Sequence, residues 1–189
     1  VFTVKKGIKF SDGSALTAAA FARAIVRVCH PDQGSPAIAF ATNIAGCQAL
    51  NDKKATGVSG VTAKGQTLTV KLVQADPTFI AQISMPFFAA VKPDMAINPK
   101  GIDVYPSGGP YRIVSREAGR SVVLERNKFY KGNRPANPDR IVVTTNTALF
   151  VVPDTIRYRV APGFAAARNT SRNFPPFVIF PAATPPVPE

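Results

Sequence analysis

The residues able to do chemistry are few. His30 is the only histidine, and it directly follows Cys29, with a second cysteine at Cys47. A Cys-His dyad needs the two side chains to face each other. Neighbours on a helix point in different directions, so Cys29 and His30 read as an ordinary helix end. His30 fits there as a last-turn residue favoured by the negative end of the helix dipole. Two cysteines and one histidine cannot supply the four ligands of a structural zinc site. The cysteines are therefore either two buried thiols or, in an oxidising compartment, one disulfide. A disulfide would close a loop of 18 residues and contribute about 3 kcal/mol by chain entropy.

Nothing else forms a reactive set. The carboxylates Asp12, Asp76, Asp94, Asp103 and Glu125 are isolated in sequence. Asp12 fits a turn and Asp76 a helix cap. There is no Gly-x-Ser-x-Gly elbow and no Gly-x-x-x-x-Gly-Lys phosphate loop. Gly57-Val-Ser-Gly60 and Ser107-Gly-Gly109 read as turns. The expectation is a protein with no catalytic residue, no metal site and no cofactor.

Charge is the other global signal. The net charge is +12 at pH 7 across 189 residues. Such a balance fits a nucleic-acid-binding domain, kept as the alternative reading. The cations are scattered, however, without the aromatic–basic motif of an RNA-binding sheet, which favours a solvated basic surface. No apolar run reaches the roughly 20 residues of a membrane span. Val1 opens on a strand-like pattern with no signal-peptide layout.

The elements that must position these residues follow from periodicity and punctuation. Residues 1–10 alternate as a strand, followed by the turn Ser11-Asp12-Gly13-Ser14. Thr17 is a candidate N-cap for a helix over Ala18–His30, with Phe21, Ile25 and Val28 on one face and Arg23 and Arg27 on another. Pro31 ends it. Ser35-Pro36 predicts a second helix reaching about Ala45, with Gly46 as a stop, then a polar loop at Asn51–Lys54. Val58–Thr62 and Thr67–Leu72 predict a hairpin around Lys64-Gly65. Pro77–Ser84 predicts a short helix with Phe79, Ile80 and Ile83 inward, and Phe87–Val91 a buried strand. Residues 92–104 read as a loop. Pro106-Ser-Gly-Gly-Pro110 reads as a lobe boundary, followed by strands at Tyr111–Ser115, Ser121–Glu125 and Asp139–Thr145. The last 39 residues hold 8 of the 18 prolines and show no sustained period, which predicts weak order over 151–189.

Several of these segments, in order, resemble the family 5 solute-binding proteins, the peptide, dipeptide and nickel-type receptors of ABC importers. Phe2-Thr-Val-Lys-Lys-Gly-Ile-Lys-Phe-Ser-Asp-Gly-Ser-Ala-Leu-Thr-Ala18 is similar to that family's strand–turn–helix stretch, with Ala15 where proline is usual and Ala20 where an acidic residue is common. Gly65–Leu72 and Asp76-Pro-Thr-Phe79 resemble its hairpin and following helix. Tyr105-Pro-Ser-Gly-Gly-Pro-Tyr111 resembles its Gly-Thr-Gly-Pro-Tyr turn, and Ser121–Gly132 its Leu-x-Leu-x-Arg-Asn-x-x-Tyr segment. The resemblance covers about 1–147.

It implies a mixed α/β (α+β) fragment of a type II periplasmic-binding-protein fold, with a small, mostly antiparallel sheet and flanking helices. Residues 1–104 are then the accessory lobe, 105–150 part of a ligand-clamping lobe and 151–189 an aberrant Pro-rich tail from a truncated or frame-shifted reading. The implied function is capture of oligopeptides or similar solutes, as a monomer at the periplasmic or extracellular face of the cytoplasmic membrane. The implied partners are the ABC permease subunits, with no nucleic acid, and any membrane association would come through an N-terminal lipid anchor outside this sequence. Phe40 is the candidate ligand-binding residue, near where some relatives place an aromatic toward the cleft; core packing is its alternative role.

Overall fold

The computed structural model describes residues 1–134 and 136–144. These residues cluster as one compact unit. The elements are β1 (Phe2–Thr3), α1 (Ala18–Cys29), α2 (Cys47–Asn51), β2 (Val61–Lys64), β3 (Thr67–Val70), α3 (Phe79–Ile83), β4 (Tyr111–Glu117), β5 (Ser121–Arg126) and β6 (Arg140–Thr144), with short 3-10 turns at Pro31–Gln33, Pro36–Phe40 and Pro86–Phe88. They build two antiparallel three-stranded sheets, ordered β1-β3-β2 and β4-β5-β6. The expected order for 151–189 concerns residues outside those described.

The first sheet packs on α1. Ile25 and Val28 are buried there with Ile44, Leu50, Leu68, Phe79 and Phe88, and Phe21 packs against them at the edge. A second, smaller cluster holds Phe10, Leu16 and Ala20. Arg23 and Arg27 lie on the polar face of α1, and their guanidiniums donate to the carbonyls of Met95 and Ala96. Gln33 clasps Asn98, donating to its carbonyl at 2.8 Å and accepting from its amide at 3.1 Å. These three side chains hold the irregular 92–104 segment along the helix and satisfy backbone groups that no sheet pairs.

Several sequence expectations are corrected by tertiary partners. The helix predicted from Ser35 to Ala45 is a single 3-10 turn, although Ser35 does cap it, accepting from the Ala37 amide at 3.3 Å. Beyond Phe40 the chain pairs instead with the segment after β3. Ala45 N–H donates to Lys71 O at 2.9 Å, Val73 N–H donates to Asn43 O at 2.8 Å, and Ile44 bridges Leu72. Those bonds replace the helical ones. Gly46, predicted as a stop, is the left-handed entry to α2 at φ 83°. Thr17 stands at the start of α1 in extended conformation but makes no side-chain cap, and the Ala18 amide bonds Gly65 O instead. The buried strand predicted at Phe87–Val91 is a 3-10 turn whose Phe88 is buried and Phe87 exposed; Val91 N–H goes to Ala20 O on α1. Ile80, predicted inward, is 60% exposed, because five-residue α3 turns only Phe79 fully into the core.

Gly60 crosses close to two strands of backbone. A Cβ there would lie 2.7 Å from Ala45 O and 2.8 Å from Lys71 O. Lys71 O accepts from Ala45 in the pairing just described and Ala45 O accepts from the Gly60 amide at 2.7 Å, so this position accepts only glycine without a backbone shift.

Candidate functional site

The segment read as a lobe boundary is held by hydrogen bonds on both sides. Ser11 N–H donates to Ser107 O at 2.9 Å, and Ser107 N–H donates to Ser11 Oγ at 3.1 Å. Ser107 Oγ donates to Tyr111 O at 2.6 Å and accepts from Gly109 N–H at 3.1 Å. Asn127 is the one buried polar residue among those described. Its Nδ2 donates to Gly109 O at 2.8 Å and Ser107 O at 3.3 Å, while its backbone amide donates to Pro110 O at 2.8 Å. Leu16 occupies the space a side chain on Gly108 would need. The Pro106–Pro110 turn is therefore a pinned junction between the Asp12 turn and the β4–β5 sheet. Asn127→Ala takes the side-chain donor from the part-buried Gly109 carbonyl and leaves Ser107 O with Ser11 N–H alone. It is expected to lower unfolding free energy by about 2 kcal/mol, measured by urea denaturation.

Beside this junction lies the larger concavity, about 620 Å³. Phe2, Val4, Leu16, Phe21, Leu68 and Phe88 line it, together with Gly108 and Gly109, and its polar side chains are Thr3, Lys5 and Ser84. Its size suits a ligand site. Its chemistry is that of an apolar surface: it brings together no acid–base pair and no nucleophile. A smaller depression of about 300 Å³ lies between Arg27, Gln33, Pro36, Phe87 and Pro99. The lining of the larger cavity was partly legible in the sequence, since Phe21 read as an apolar-face residue of the helix and Phe2, Val4 and Leu68 lie in predicted strands. Its existence was not, because it depends on how the 106–110 turn meets β1 and α1.

Phe40 lines neither concavity. It ends its 3-10 turn 43% exposed, whereas Ala37 and Ala41 beside it are fully buried. Core packing, its alternative role, does not describe that position.

Cys29 and Cys47 are fully buried and joined, with Cα atoms 5.2 Å apart. They connect the end of α1 to the start of α2 around the loop that carries Phe40. His30 sits at the start of the following 3-10 turn, where its Nδ1 accepts the Asp32 amide at 3.2 Å. His30 is thus both the C-cap of α1, as its helix-end reading expected, and the acceptor for the next turn, a bond that occupies the ring nitrogen facing the backbone. Among the described residues no group of three or more His, Cys, Asp or Glu side chains could hold a metal.

The two acidic residues read as structural are so. Asp76 accepts from the Thr78 amide (2.8 Å), Thr78 Oγ1 (2.7 Å) and Gln82 (3.1 Å), which lowers its pKa, the Thr78 hydroxyl contributing most. Asp12 accepts from the Ser14 hydroxyl at 2.6 Å and amide at 2.9 Å, and pairs with Lys92 at 2.9 Å. The Ser14 hydroxyl is the largest cause holding the Asp12 carboxyl down, to about 2 from an ordinary 3.8. A carboxyl lowered by folding stabilises the fold above its unfolded pKa and loses that contribution as pH falls through the folded value. At this third-exposed site the contribution is below about 1 kcal/mol. Asp12→Asn is expected to lower stability at pH 7 and to cost progressively less as pH falls from about 4 toward 2, in thermal melts across that range.

Comparison with known proteins places this arrangement. The profile of the bacterial extracellular solute-binding proteins, family 5 middle region, matches residues 1–149. The nickel-binding protein NikA of Staphylococcus aureus is 34% identical over 88 residues, 46% of this chain and 17% of NikA. The oligopeptide-binding protein OppA of Lactococcus lactis subsp. lactis is 26% identical over 148 residues, 70% of this chain and 25% of OppA. The structure of the Escherichia coli murein tripeptide binding protein MppA superposes with a TM-score of 0.57 at 28% identity, covering 68% of this chain and 27% of MppA. The chain thus spans about a quarter or less of the length of these relatives. The fold is the mixed α/β fold of the type II periplasmic binding proteins, represented here by small antiparallel sheets with flanking helices. Matched over more than half its length, the chain belongs to the bacterial extracellular solute-binding proteins, family 5.

Proposed function

We propose that this chain is the accessory-lobe and partial clamping-lobe portion of a receptor that captures oligopeptides or similar small solutes and delivers them to an ABC importer. Membership in an extracellular family places it outside the cytoplasm, in the periplasm or on the outer face of the cytoplasmic membrane. The observation that supports the receptor reading most is the continuous family match over residues 1–149. The names of the relatives, which describe binding of nickel, oligopeptides and a murein tripeptide, supply the solute classes. In this reading residues 1–104 form the accessory lobe and 105–150 enter a lobe that closes on the ligand by hinge motion. Its partners are the solute and the permease subunits, and the receptor acts as a monomer. It binds and releases its solute without catalysis. Phe40 is the ligand-facing aromatic, a role its exposure favours over burial in the core.

The test is uptake by cells. Deleting the gene is expected to lower accumulation of labelled oligopeptide at least about tenfold, with recovery on complementation. Unchanged uptake of oligopeptide, dipeptide and nickel–histidine alike would rule the reading out.

A further inference from the structure

Two segments far apart in sequence meet on one aromatic ring. Phe129, half-buried, packs against the Asp12 turn, its ring 3.1 Å from where a Cβ on Gly13 would stand. The Lys9 ammonium lies 5.9 Å from the ring centroid and the Lys128 ammonium 5.1 Å. Lys5 and Lys6 belong to the same segment as Lys9, and Lys131 and Arg134 to the same segment as Lys128; all six cations are exposed. The ion pairs among the described residues include none of them. The carboxylates of the two segments, Asp12 and Asp139, are taken by Lys92 and Arg126.

Sharing one ring, the two ammonium groups lie no more than about 11 Å apart, a separation comparable with the Debye length of roughly 8 Å at physiological salt, so their repulsion is only partly screened. Cation–π attraction offsets part of it. An external anion would relieve the rest. We propose that the Lys9–Phe129–Lys128 cluster is the centre of a docking surface for anionic phospholipid headgroups. The packed ring gathers exposed cations from two segments into one patch, and such clustered basic charge is what meets anionic lipid headgroups. The extracellular family favours a membrane over nucleic acid as the polyanion. The surface needs neither the solute nor the permease, so it stands apart from the proposed transport role.

The experiment is co-sedimentation of the 189-residue chain with vesicles. One set is an equal mixture of phosphatidylglycerol and phosphatidylcholine, and the other is phosphatidylcholine alone. Binding is expected on the anionic vesicles only and is expected to weaken with salt. Each basic residue at such a surface is worth about 1 kcal/mol, or about fivefold. K9Q/K128Q is therefore expected to bind about 30-fold more weakly. K9R/K128R, which keeps the charge, is expected to bind as the parent does. K53Q/K54Q, whose lysines have the carboxylate partners Asp32 and Asp52, is expected to change binding less than about twofold. Equal binding to both vesicle types, no binding to either, or an equal loss in K53Q/K54Q overturns the proposal. Tighter binding to a random oligonucleotide than to anionic vesicles, with the same K9Q/K128Q loss, overturns the lipid assignment.

Discussion

Phe10→Ala is expected to destabilise the protein by about 3–5 kcal/mol, the usual range for deleting a buried phenyl group. Phe10 is fully buried with Leu16 and Ala20. Its own backbone closes the Asp12 turn, donating to Ser14 O at 2.9 Å and accepting from Gly13 N–H at 2.9 Å. A cavity there loosens the turn that the 106–110 junction and the Phe129 ring both lean on, so the loss should spread beyond the side chain. Phe40→Ala removes the same group from an exposed position and is expected to change stability by less than about 0.5 kcal/mol. Denaturant midpoints of the two variants, compared at equal slope, check the contrast. Equal losses would place Phe40 in a core and remove the reason for regarding it as a surface aromatic.

Removing the Cys29–Cys47 link is the second large effect. The bond closes a loop of 18 residues, which constrains the unfolded chain by about 3 kcal/mol. The loop has little regular structure to replace it, only two short 3-10 turns. Buried Ala37, Ala41 and Ile44 also hold it, so the fold should survive reduction while becoming less stable. Cys29→Ala/Cys47→Ala, and separately the chain with reductant, are expected to melt roughly 10 °C lower. Hydrogen exchange is expected to rise first across residues 30–46. An unchanged melting temperature on reduction would mean that the thiols are free in the protein as isolated.

What could be read from sequence was local and periodic. Helix α1 announced itself through Phe21, Ile25 and Val28, and Pro31 ended it within one residue of the observed stop at Cys29. The Lys64-Gly65 turn joins antiparallel strands, and the strands expected at Tyr111–Ser115 and Ser121–Glu125 pair antiparallel as well. What sequence could not supply was competition between partners. Asn43–Ala45 has a helix-compatible composition, and only the presence of Lys71–Val73 alongside diverts it into sheet-like pairing. Phe87-Phe88 reads as a strand by composition, yet Pro86 opens a 3-10 turn and one ring goes in while the other stays out. The cysteines were open to either state from spacing alone. Asn127 carried only its motif position. Its role in satisfying the carbonyls of Ser107 and Gly109 depends on a contact 18–20 residues away. The Lys9–Phe129–Lys128 cluster is further still from legibility, because it joins opposite ends of the compact unit.

The receptor reading rests on a division of labour: this chain carries framework and junction, and the solute is gripped only when a facing lobe completes the cleft. Its cavity is lined mainly by apolar side chains, with Thr3, Lys5 and Ser84 as its polar ones. Calorimetric titration of the 189-residue chain with a mixed oligopeptide library tests this directly. No saturable heat is expected up to about 100 µM, corresponding to less than roughly 5.5 kcal/mol of binding free energy. Saturable binding at micromolar or tighter affinity would mean that the chain holds a complete site of its own and would contradict the account.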